Sequence, residues 1–399
     1  MKKRVMYAAA AALMFTAGSA FAQSTGNTAA TTQTGTTNVA TATQTGGVGN
    51  NASISQAVLS NTASILQEGG EGNDASVDQN GTENSAAVWQ AGGALNDADV
   101  DQVGMYNSAY VEQLGGLDND ADVDQEGEGN YAEVLQLFGE DNDADVDQEG
   151  AYNEAYVNQE EGENNDADID QDGDYNVAAI DQVFGESNDA DIDQDGDFNS
   201  AYINQTDGED NDADIEQDGD GNLAEIYQLG GENNDSDIDQ DGDLNSALVV
   251  QLGGESNEGD VYQDGALNSA YIEQTEGFRN DAEIRQDGLA NGAAIYQFGG
   301  DHNTAAVAQY GVGNVALVEQ DMASYNTASV AQSGWFNGAA VSQTGLLNTA
   351  SVSQAGILNG ASVEQAGDTN TATISQMGWG NAASATQSGS GNVSTITQH

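Results

Sequence analysis

The sequence predicts an all-β protein, a two-sided β-solenoid of about sixteen rungs, and three observations support this fold class. The motif Asn-x-Ala-x-(Val/Ile)-x-Gln recurs 33 times between Asn27 and Gln398. Its constant residues stand at alternate positions, which is the period of a β-strand. The spacing between successive Asn residues alternates between 11 and 12 as far as Asn326. Two copies therefore form one rung of 23 residues, in the order strand, arc, strand, arc.

The strict repeat predicts that one small unit stacks on itself along the chain. Asn and Gln stand six residues apart in every copy, Ala fills the third position in 30 copies, and Val or Ile fills the fifth in 30. Residues spaced by two share one face of a strand, whereas they cannot share one face of a helix. We expect strands perpendicular to a long axis, at roughly 4.8 Å per rung and about 80 Å in all.

The constant face of each strand should point inward, where identical neighbours pack on one another. Ala and Val or Ile would form a thin continuous core, and Asn and Gln would form side-chain amide ladders of the cross-β kind. Repetition at every rung gives each amide a partner and avoids the cost of about 1–3 kcal/mol for an unpaired buried polar group. The predicted ladder residues are Asn96, Gln102, Asn107, Gln113, Asn119, Gln125, Asn142, Gln148, Asn165 and Gln171.

Short arcs should connect the strands. Four residues separate Gln102 from Asn107, and Gly104 among them supplies the backbone freedom that a tight arc needs. The chain contains no proline, so every backbone N–H can donate to a ladder, and no cysteine, so no disulfide constrains it. From Asn326 onward the spacing is a uniform 11, which shortens the rung.

Residues 1–22 have the pattern of a secretory signal peptide. Three basic residues at positions 2 to 4 precede an apolar run from Met6 to Phe15, and a small-x-small sequence ends at Ala22. The apolar run is shorter than the roughly 20 residues that a membrane span needs. We therefore expect a mature chain that starts at residue 23 and is secreted to the cell surface.

Acidic residues divide the mature chain into three regions of repeats. Residues 23–67 contain none, residues 68–300 contain 62 of the 67, and residues 301–399 contain five. Only two strong bases, Arg279 and Arg285, follow residue 22. Such a polyanion repels nucleic acid and anionic membrane surfaces and attracts cations. We expect neither nucleic-acid binding nor membrane insertion.

The variable positions predict two different outer faces. One class of copies carries Asp at three outward positions, and these carboxylates should stack from rung to rung. Stacked carboxylates raise solubility and delay aggregation, and they also offer the oxygen ligands that Ca²⁺ prefers; both interpretations stand. The predicted cation array is Asp97, Asp99, Asp101, Asp120, Asp122, Asp124, Asp143, Asp145 and Asp147. No cofactor is required, and Ca²⁺ is the one that the pattern allows.

The other class of copies carries aromatic residues outward. Tyr is a good strand former and stacks across strands, and an exposed aromatic face also suits adhesion or lateral packing. The residues are Trp89, Tyr110, Tyr131, Tyr156, Tyr202, Tyr227, Tyr271 and Tyr296.

The unit from Asn107 to Gln113, followed by Gly115, resembles the curlin repeat of major curli subunits, which are secreted bacterial amyloid proteins of the biofilm matrix. The resemblance extends over residues 27–398. It implies a β-solenoid subunit that leaves the cell unfolded through a dedicated outer-membrane pore. A minor nucleator subunit then templates a homopolymeric, fimbria-like extracellular fibre. The chain differs from the family pattern in its many repeats, its acid load and the absence of a Gly-rich segment after the signal peptide.

Three classes of function compete on these observations. The first is a structural fibre subunit of an extracellular amyloid, active in biofilm matrix and adhesion. The second is a monomeric binding solenoid, either a Ca²⁺-binding acidic adhesin or an ice-binding protein, although ice binding favours a regular Thr array that the acidic centre lacks. The third is an enzyme, which we do not expect because no catalytic constellation or cleft-forming insertion interrupts the repeat. The repeat continues to Gln398 without a cap, which favours end-to-end polymerisation through exposed strand edges.

Overall fold

The computed structural model describes residues 25–399, and every regular element in this part of the chain is a β-strand. The predicted signal peptide lies outside the described residues. Between Thr25 and His399 the structure contains no helix with the length and apolarity needed to cross a membrane.

Residues 25–399 form 33 strands, which alternate between two parallel sheets, one of 17 strands and one of 16. The odd sheet contains β1 (Thr28–Thr36), β3 (Asn51–Leu59), β5 (Asp74–Thr82), β7 (Asp99–Met105), β9 (Asp122–Glu128), β11 (Asp143–Ala151), β13 (Asp166–Asp174), β15 (Asp189–Asp195), β17 (Asp212–Asp218), β19 (Asp235–Asp243), β21 (Glu258–Ala266), β23 (Asp281–Leu289), β25 (Thr304–Val312), β27 (Thr327–Trp335), β29 (Thr349–Ile357), β31 (Thr371–Trp379) and β33 (Val393–Gln398). The even sheet contains β2 (Val39–Thr45), β4 (Thr62–Glu68), β6 (Ser85–Ala91), β8 (Ser108–Leu114), β10 (Tyr131–Leu137), β12 (Glu154–Glu160), β14 (Val177–Val183), β16 (Ser200–Thr206), β18 (Leu223–Leu229), β20 (Ser246–Leu252), β22 (Ser269–Thr275), β24 (Gly292–Phe298), β26 (Val315–Ser324), β28 (Gly338–Leu346), β30 (Gly360–Asp368) and β32 (Ala382–Ser390).

Each strand pairs in parallel and in register with the strand two places further along the chain. Asp145 of β11 lies opposite Asp168 of β13, and Val146 lies opposite Ile169, so that each residue stacks on its equivalent 23 residues on. Beyond β27 the offset falls to 22, as in the pairing of Thr327 with Thr349. The predicted two-sided β-solenoid of about sixteen rungs is therefore confirmed.

The core is one continuous cluster of Ala, Val and Ile side chains between the two sheets, from Ala52 to Ala385. Every second residue of a strand points inward, and in β13 both Ala167 and Ile169 are fully buried. Facing them from β14 are Ala178 and Ile180, which are buried equally well. The thin core thus extends without interruption through all three regions that differ in acidity.

Two kinds of arc close the rungs. An arc that follows an odd strand has four residues between the motif Gln and the next Asn, whereas an arc that follows an even strand has five up to Tyr325. The five-residue arcs are tied to one another by single parallel bridges, such as Glu140 to Glu163 and Glu163 to Glu186. The last five-residue arc coincides with a register irregularity between Asp321 and Ser324, where the change to shorter rungs takes place.

Candidate functional site: the amide ladders and the two outer faces

The Gln side chains form two continuous hydrogen-bonded ladders, one within each sheet. In the odd sheet Gln102 Nε2 donates to Gln125 Oε1 at 2.8 Å, and Gln125 Nε2 donates to Gln148 Oε1 at 2.8 Å. In the even sheet Gln113 Nε2 donates to Gln136 Oε1 at 2.8 Å. Each amide is therefore donor to the next rung and acceptor from the previous one.

The even-sheet Gln side chains also donate hydrogen bonds to backbone carbonyls of the odd strands. Gln205 Nε2 donates to the carbonyl oxygens of Asp189 at 2.7 Å and Asn211 at 3.1 Å, in addition to Gln228 Oε1 at 2.9 Å. The odd-sheet residue Gln194 makes one cross-rung contact, to the Val177 carbonyl at 3.3 Å. The even ladder is consequently the more densely bonded of the two.

The Asn residues form a ladder of a different chemistry. Asn96 Oδ1 accepts a hydrogen bond from the backbone N–H of Asn119 at 3.2 Å, and Asn96 Nδ2 donates to the Gly115 carbonyl of the next arc at 3.0 Å. The side chain thus joins the start of one strand to the arc above it. All ten predicted ladder residues are at least 98 % buried, so the ladders are confirmed, although most Asn residues bond to backbone instead of to one another.

The nine predicted cation-array residues lie on the outer side of the odd sheet, in columns that run along the solenoid axis. Asp99, Asp122 and Asp145 stack in one column through the pairing of β7, β9 and β11, while Asp101, Asp124 and Asp147 stack in another. Asp97, Asp120 and Asp143 occupy the corresponding first position of each copy. Every outward motif position of the odd sheet from Asp97 to Asp239 is acidic, and we call this surface the acidic face.

The stacked rungs raise the pKa values of several carboxyl groups on the acidic face. Loss of hydration is the largest cause for Asp122, followed by repulsion from Asp145 and Asp99, and together they raise its pKa to about 7. The same causes raise the pKa of Asp101 to about 6. The pKa is also raised for Asp97, Asp124, Asp143, Asp145 and Asp147. In the folded chain these carboxyl groups therefore bind protons more tightly than in the unfolded chain.

The carboxylates of the acidic face stand side by side and do not converge. Within residues 25–399 no three His, Cys, Asp or Glu side chains are arranged closely enough to hold a metal ion. Ca²⁺ prefers six to eight oxygen ligands, so any cation on this face would share carboxylates between rungs and keep part of its water shell.

The outer side of the even sheet has a network that sequence reasoning missed. Tyr hydroxyls donate to carboxylates on the same face: Tyr131 to Glu133 at 2.8 Å, Tyr271 to Glu273 at 2.7 Å, and Tyr202 to Asp181 at 2.7 Å. Tyr110, Tyr156 and Tyr227 make equivalent bonds to Glu112, Glu154 and Glu225. The signal was present as Tyr-x-Glu and Glu-x-Tyr, because residues two apart share a strand face.

The Tyr rings also contact one another along the axis. Ring centroids of Tyr131 and Tyr156 lie 5.6 Å apart, and those of Tyr271 and Tyr296 lie 5.3 Å apart. Burial and the neighbouring Glu154 raise the Tyr156 pKa to about 12. We call the outer side of the even sheet the tyrosine face. It carries few carboxylates, and most of them accept a hydrogen bond.

A second aromatic column follows the four-residue arcs. Tyr152, Tyr175 and Phe198 stack in succession, with centroids 5.2 Å and 5.1 Å apart. Tyr175 and Phe198 both adopt φ of 63°, a left-handed conformation in which bulky residues are uncommon. Contact between stacked rings offsets part of this backbone strain.

A comparison with known protein families identifies the type of repeat. A family model described as the curlin associated repeat matches twelve segments that together span more than half of the chain. The segments are residues 70–95, 93–117, 116–150, 139–173, 162–194, 185–219, 208–242, 231–256, 254–288, 300–334, 325–356 and 367–399. A search of curated proteins found no match.

Proposed function

We propose, from the premise that this chain belongs to the curlin-repeat family, that it is the structural subunit of a curli-like extracellular amyloid fibre. The proposal assigns the chain a structural role and no enzymatic one. In this proposal the chain polymerises end to end by strand stacking, and the fibre serves biofilm matrix and adhesion. The signal peptide at residues 1–22, the curli-type outer-membrane pore and a nucleator subunit belong to the same proposal.

One observation carries the proposal: within residues 25–399 the first and last rungs present complementary ladder groups. Gln398 Oε1 accepts from Gln376 at 2.7 Å, and among these residues Gln398 Nε2 donates only to the Ala382 carbonyl at 3.0 Å. At the other end Gln33 Nε2 donates to Gln56 at 2.7 Å, while its Oε1 accepts from none of residues 25–399. A donor at one end and an acceptor at the other are complementary, which supports stacking of one copy on another.

The proposal is tested with the mature chain, residues 23–399, by negative-stain microscopy and fibre diffraction. We expect unbranched fibres with a meridional reflection at about 4.8 Å. Ile396 points into the core from β33, whereas its neighbour Thr395 points outward. Ile396→Lys should block elongation because it places a charge in the joint, and Thr395→Lys should elongate normally. A wild-type chain that stays monomeric for weeks at high concentration across a range of salt would refute the proposal.

The acidic columns support a second candidate, a Ca²⁺-binding acidic β-solenoid adhesin. Its basis is the register that places carboxylates of adjacent rungs directly above one another, as for Asp122 and Asp145. The test compares Ca²⁺ with Na⁺ at equal ionic strength, using the wild type and a variant with Asn at positions 97, 99, 101, 120, 122 and 124. If Ca²⁺ and Na⁺ change assembly equally, the ions act only by screening the carboxylate charges and no specific Ca²⁺ binding takes place. A Ca²⁺-dependent monomer that binds surfaces without forming fibres would favour this candidate over the first.

A further inference from the structure

On the tyrosine face, apolar side chains point outward from β18, β20, β24 and β26, while β22 between them presents Ser269, Tyr271, Glu273 and Thr275. We call these five strands the apolar patch, and its apolar residues include Leu223, Leu229, Leu248, Val250, Leu252 and Phe298. Leu223 and Leu229 are about 40 % exposed, and Val315 of β26 is 59 % exposed. Exposed apolar side chains grouped in this way, with polar residues among and around them, mark interaction sites in soluble proteins.

The apolar patch carries little free charge. On β18 and β22 the carboxylates are Glu225 and Glu273, and each accepts a hydrogen bond from a Tyr of its own strand, at 3.2 Å and 2.7 Å. Glu319 and Asp321 lie at the rim on β26. Behind β18 and β20 the odd sheet presents acidic residues at every outward position of β17 and β19, whereas β25, behind the other end of the patch, has no acidic residue. The side opposite the patch is thus polyanionic behind β18 and β20.

We propose that the apolar patch pairs with the same patch of a second copy of this chain, so that two solenoids lie side by side with their acidic faces outward. The contact is isologous, about a two-fold axis, because the same surface serves both partners. The proposal concerns lateral contact alone, so it goes beyond the proposed function and holds for soluble chains as well as for fibres.

The area of the patch meets the requirement for a stable contact. Five strands at about 4.8 Å spacing and seven residues at about 3.3 Å rise give roughly 24 by 23 Å, or about 550 Å² on each copy. The pair therefore buries about 1,100 Å² in total, above the value of about 1,000 Å² that separates specific interfaces from adventitious ones.

The distribution of charge favours a second copy of the chain as the partner and determines which surfaces face each other. Docking the apolar patch on the acidic face of a neighbour would remove unpaired carboxylates from water, at a cost of several kcal/mol per ion. Pairing of two apolar patches buries carboxylates that already accept hydrogen bonds from Tyr. It also leaves the two acidic faces on opposite outer sides of the pair, separated by the thickness of both solenoids. Polyanionic partners of other kinds are repelled by the same faces.

The first test measures the number of chains across one particle. Sedimentation equilibrium on soluble chains and mass per length on fibres should both give two chains. Leu248→Asp with Val250→Asp should give one, because it introduces two charges at the centre of the contact. The matched control, Ser85→Asp with Ala87→Asp, adds the same charge at outward positions of β6 on the same face and should still give two. One chain in the wild type, or two in the patch variant, overturns the proposal.

A second test does not depend on the tolerance of β20 for charge. The chain has no cysteine, so a single introduced thiol reports one position without background. Val250→Cys should be linked to a second copy by a short bismaleimide, whereas Ser85→Cys should not. Absence of linked dimers for Val250→Cys would refute the pairing even where fibres form, and linked dimers without fibres would refute the proposed function instead.

Discussion

Replacing a single ladder Gln tests how much the buried amides contribute to stability. Gln205→Leu keeps the side-chain size but removes one hydrogen bond, accepted by Oε1 from Gln182 at 2.9 Å, and the two N–H donors of Nε2, which are shared among Gln228 Oε1 and the carbonyls of Asp189 and Asn211. At about 1 kcal/mol for each of these three hydrogen-bonding groups, the expected loss in local opening free energy is about 3 kcal/mol.

The odd ladder supplies a matched comparison within the same molecule. Gln194→Leu removes three hydrogen bonds, to the Val177 carbonyl, to Gln217 and from Gln171. The expected loss is also about 3 kcal/mol, and it should not exceed the loss for Gln205→Leu, because the bond to the Val177 carbonyl, at 3.3 Å, is longer than the bond from Gln205 to the Asp189 carbonyl, at 2.7 Å.

Hydrogen exchange followed by mass spectrometry measures these opening free energies strand by strand, because solenoids open locally. Peptides from the rungs on either side of the substitution should exchange faster, and distant rungs should not. Ser200→Ala, at an outward position of β16, is the control and should change opening by less than about 0.5 kcal/mol. If Gln205→Leu behaves like the control, or costs less than Gln194→Leu, the assignment of stability to the ladders is wrong.

Three further predictions concern acid, glycine and charge distribution. The pKa of Asp122 is raised to about 7 in the folded chain, so the folded chain binds this proton more tightly than the unfolded chain does. The free energy of unfolding should therefore be greatest below about pH 4 and should fall as the pH rises to about 7. Asp122→Asn should weaken this pH dependence, measured as the urea midpoint at each pH. Gly173→Ala should destabilise by about 1–3 kcal/mol in urea unfolding, because φ is 119° and a Cβ would lie 2.1 Å from the Gly196 oxygen. Gly292→Ala, with no atom within 4 Å, should be neutral or stabilising. A peptide of residues 326–354, which contains no acidic residue, should form fibres with a shorter thioflavin lag at pH 7 than one of residues 165–194, and equal lag times would contradict a restraining role for the acidic centre.

Much of the fold follows from periodicity alone. The period of two places Ile169 and Gln171 inward, and the 23-residue spacing specifies which residue each one stacks upon. The columns of the acidic face follow from the same spacing, since equivalent residues must lie above one another. The spacing does not show which force on those carboxylates is largest: loss of hydration raises the Asp122 pKa more than any single neighbouring carboxylate does.

The arcs and the Asn residues were less predictable because their geometry depends on neighbours. Glycine is the residue expected at left-handed positions, yet the same arc position is left-handed with Tyr175, Phe198 and Leu244 in different rungs, so the arc geometry imposes this conformation on different residue types. The motif identifies Asn96 as buried but does not indicate that its oxygen accepts from the Asn119 backbone. Ala323, in the irregular arc before Asn326, turns fully inward, which no local pattern signals.

The repeating register has a consequence for how the length of such a chain can vary. Removing 23 residues from the centre deletes one whole rung, and every remaining residue meets an equivalent partner. Removing a single motif copy sends each later strand to the opposite sheet, where carboxylates would stack on Tyr and the patch surfaces would divide between two sides. Gene duplications and losses that keep a functional surface are therefore limited to whole rungs, so length can change in evolution while the identity of each face is conserved.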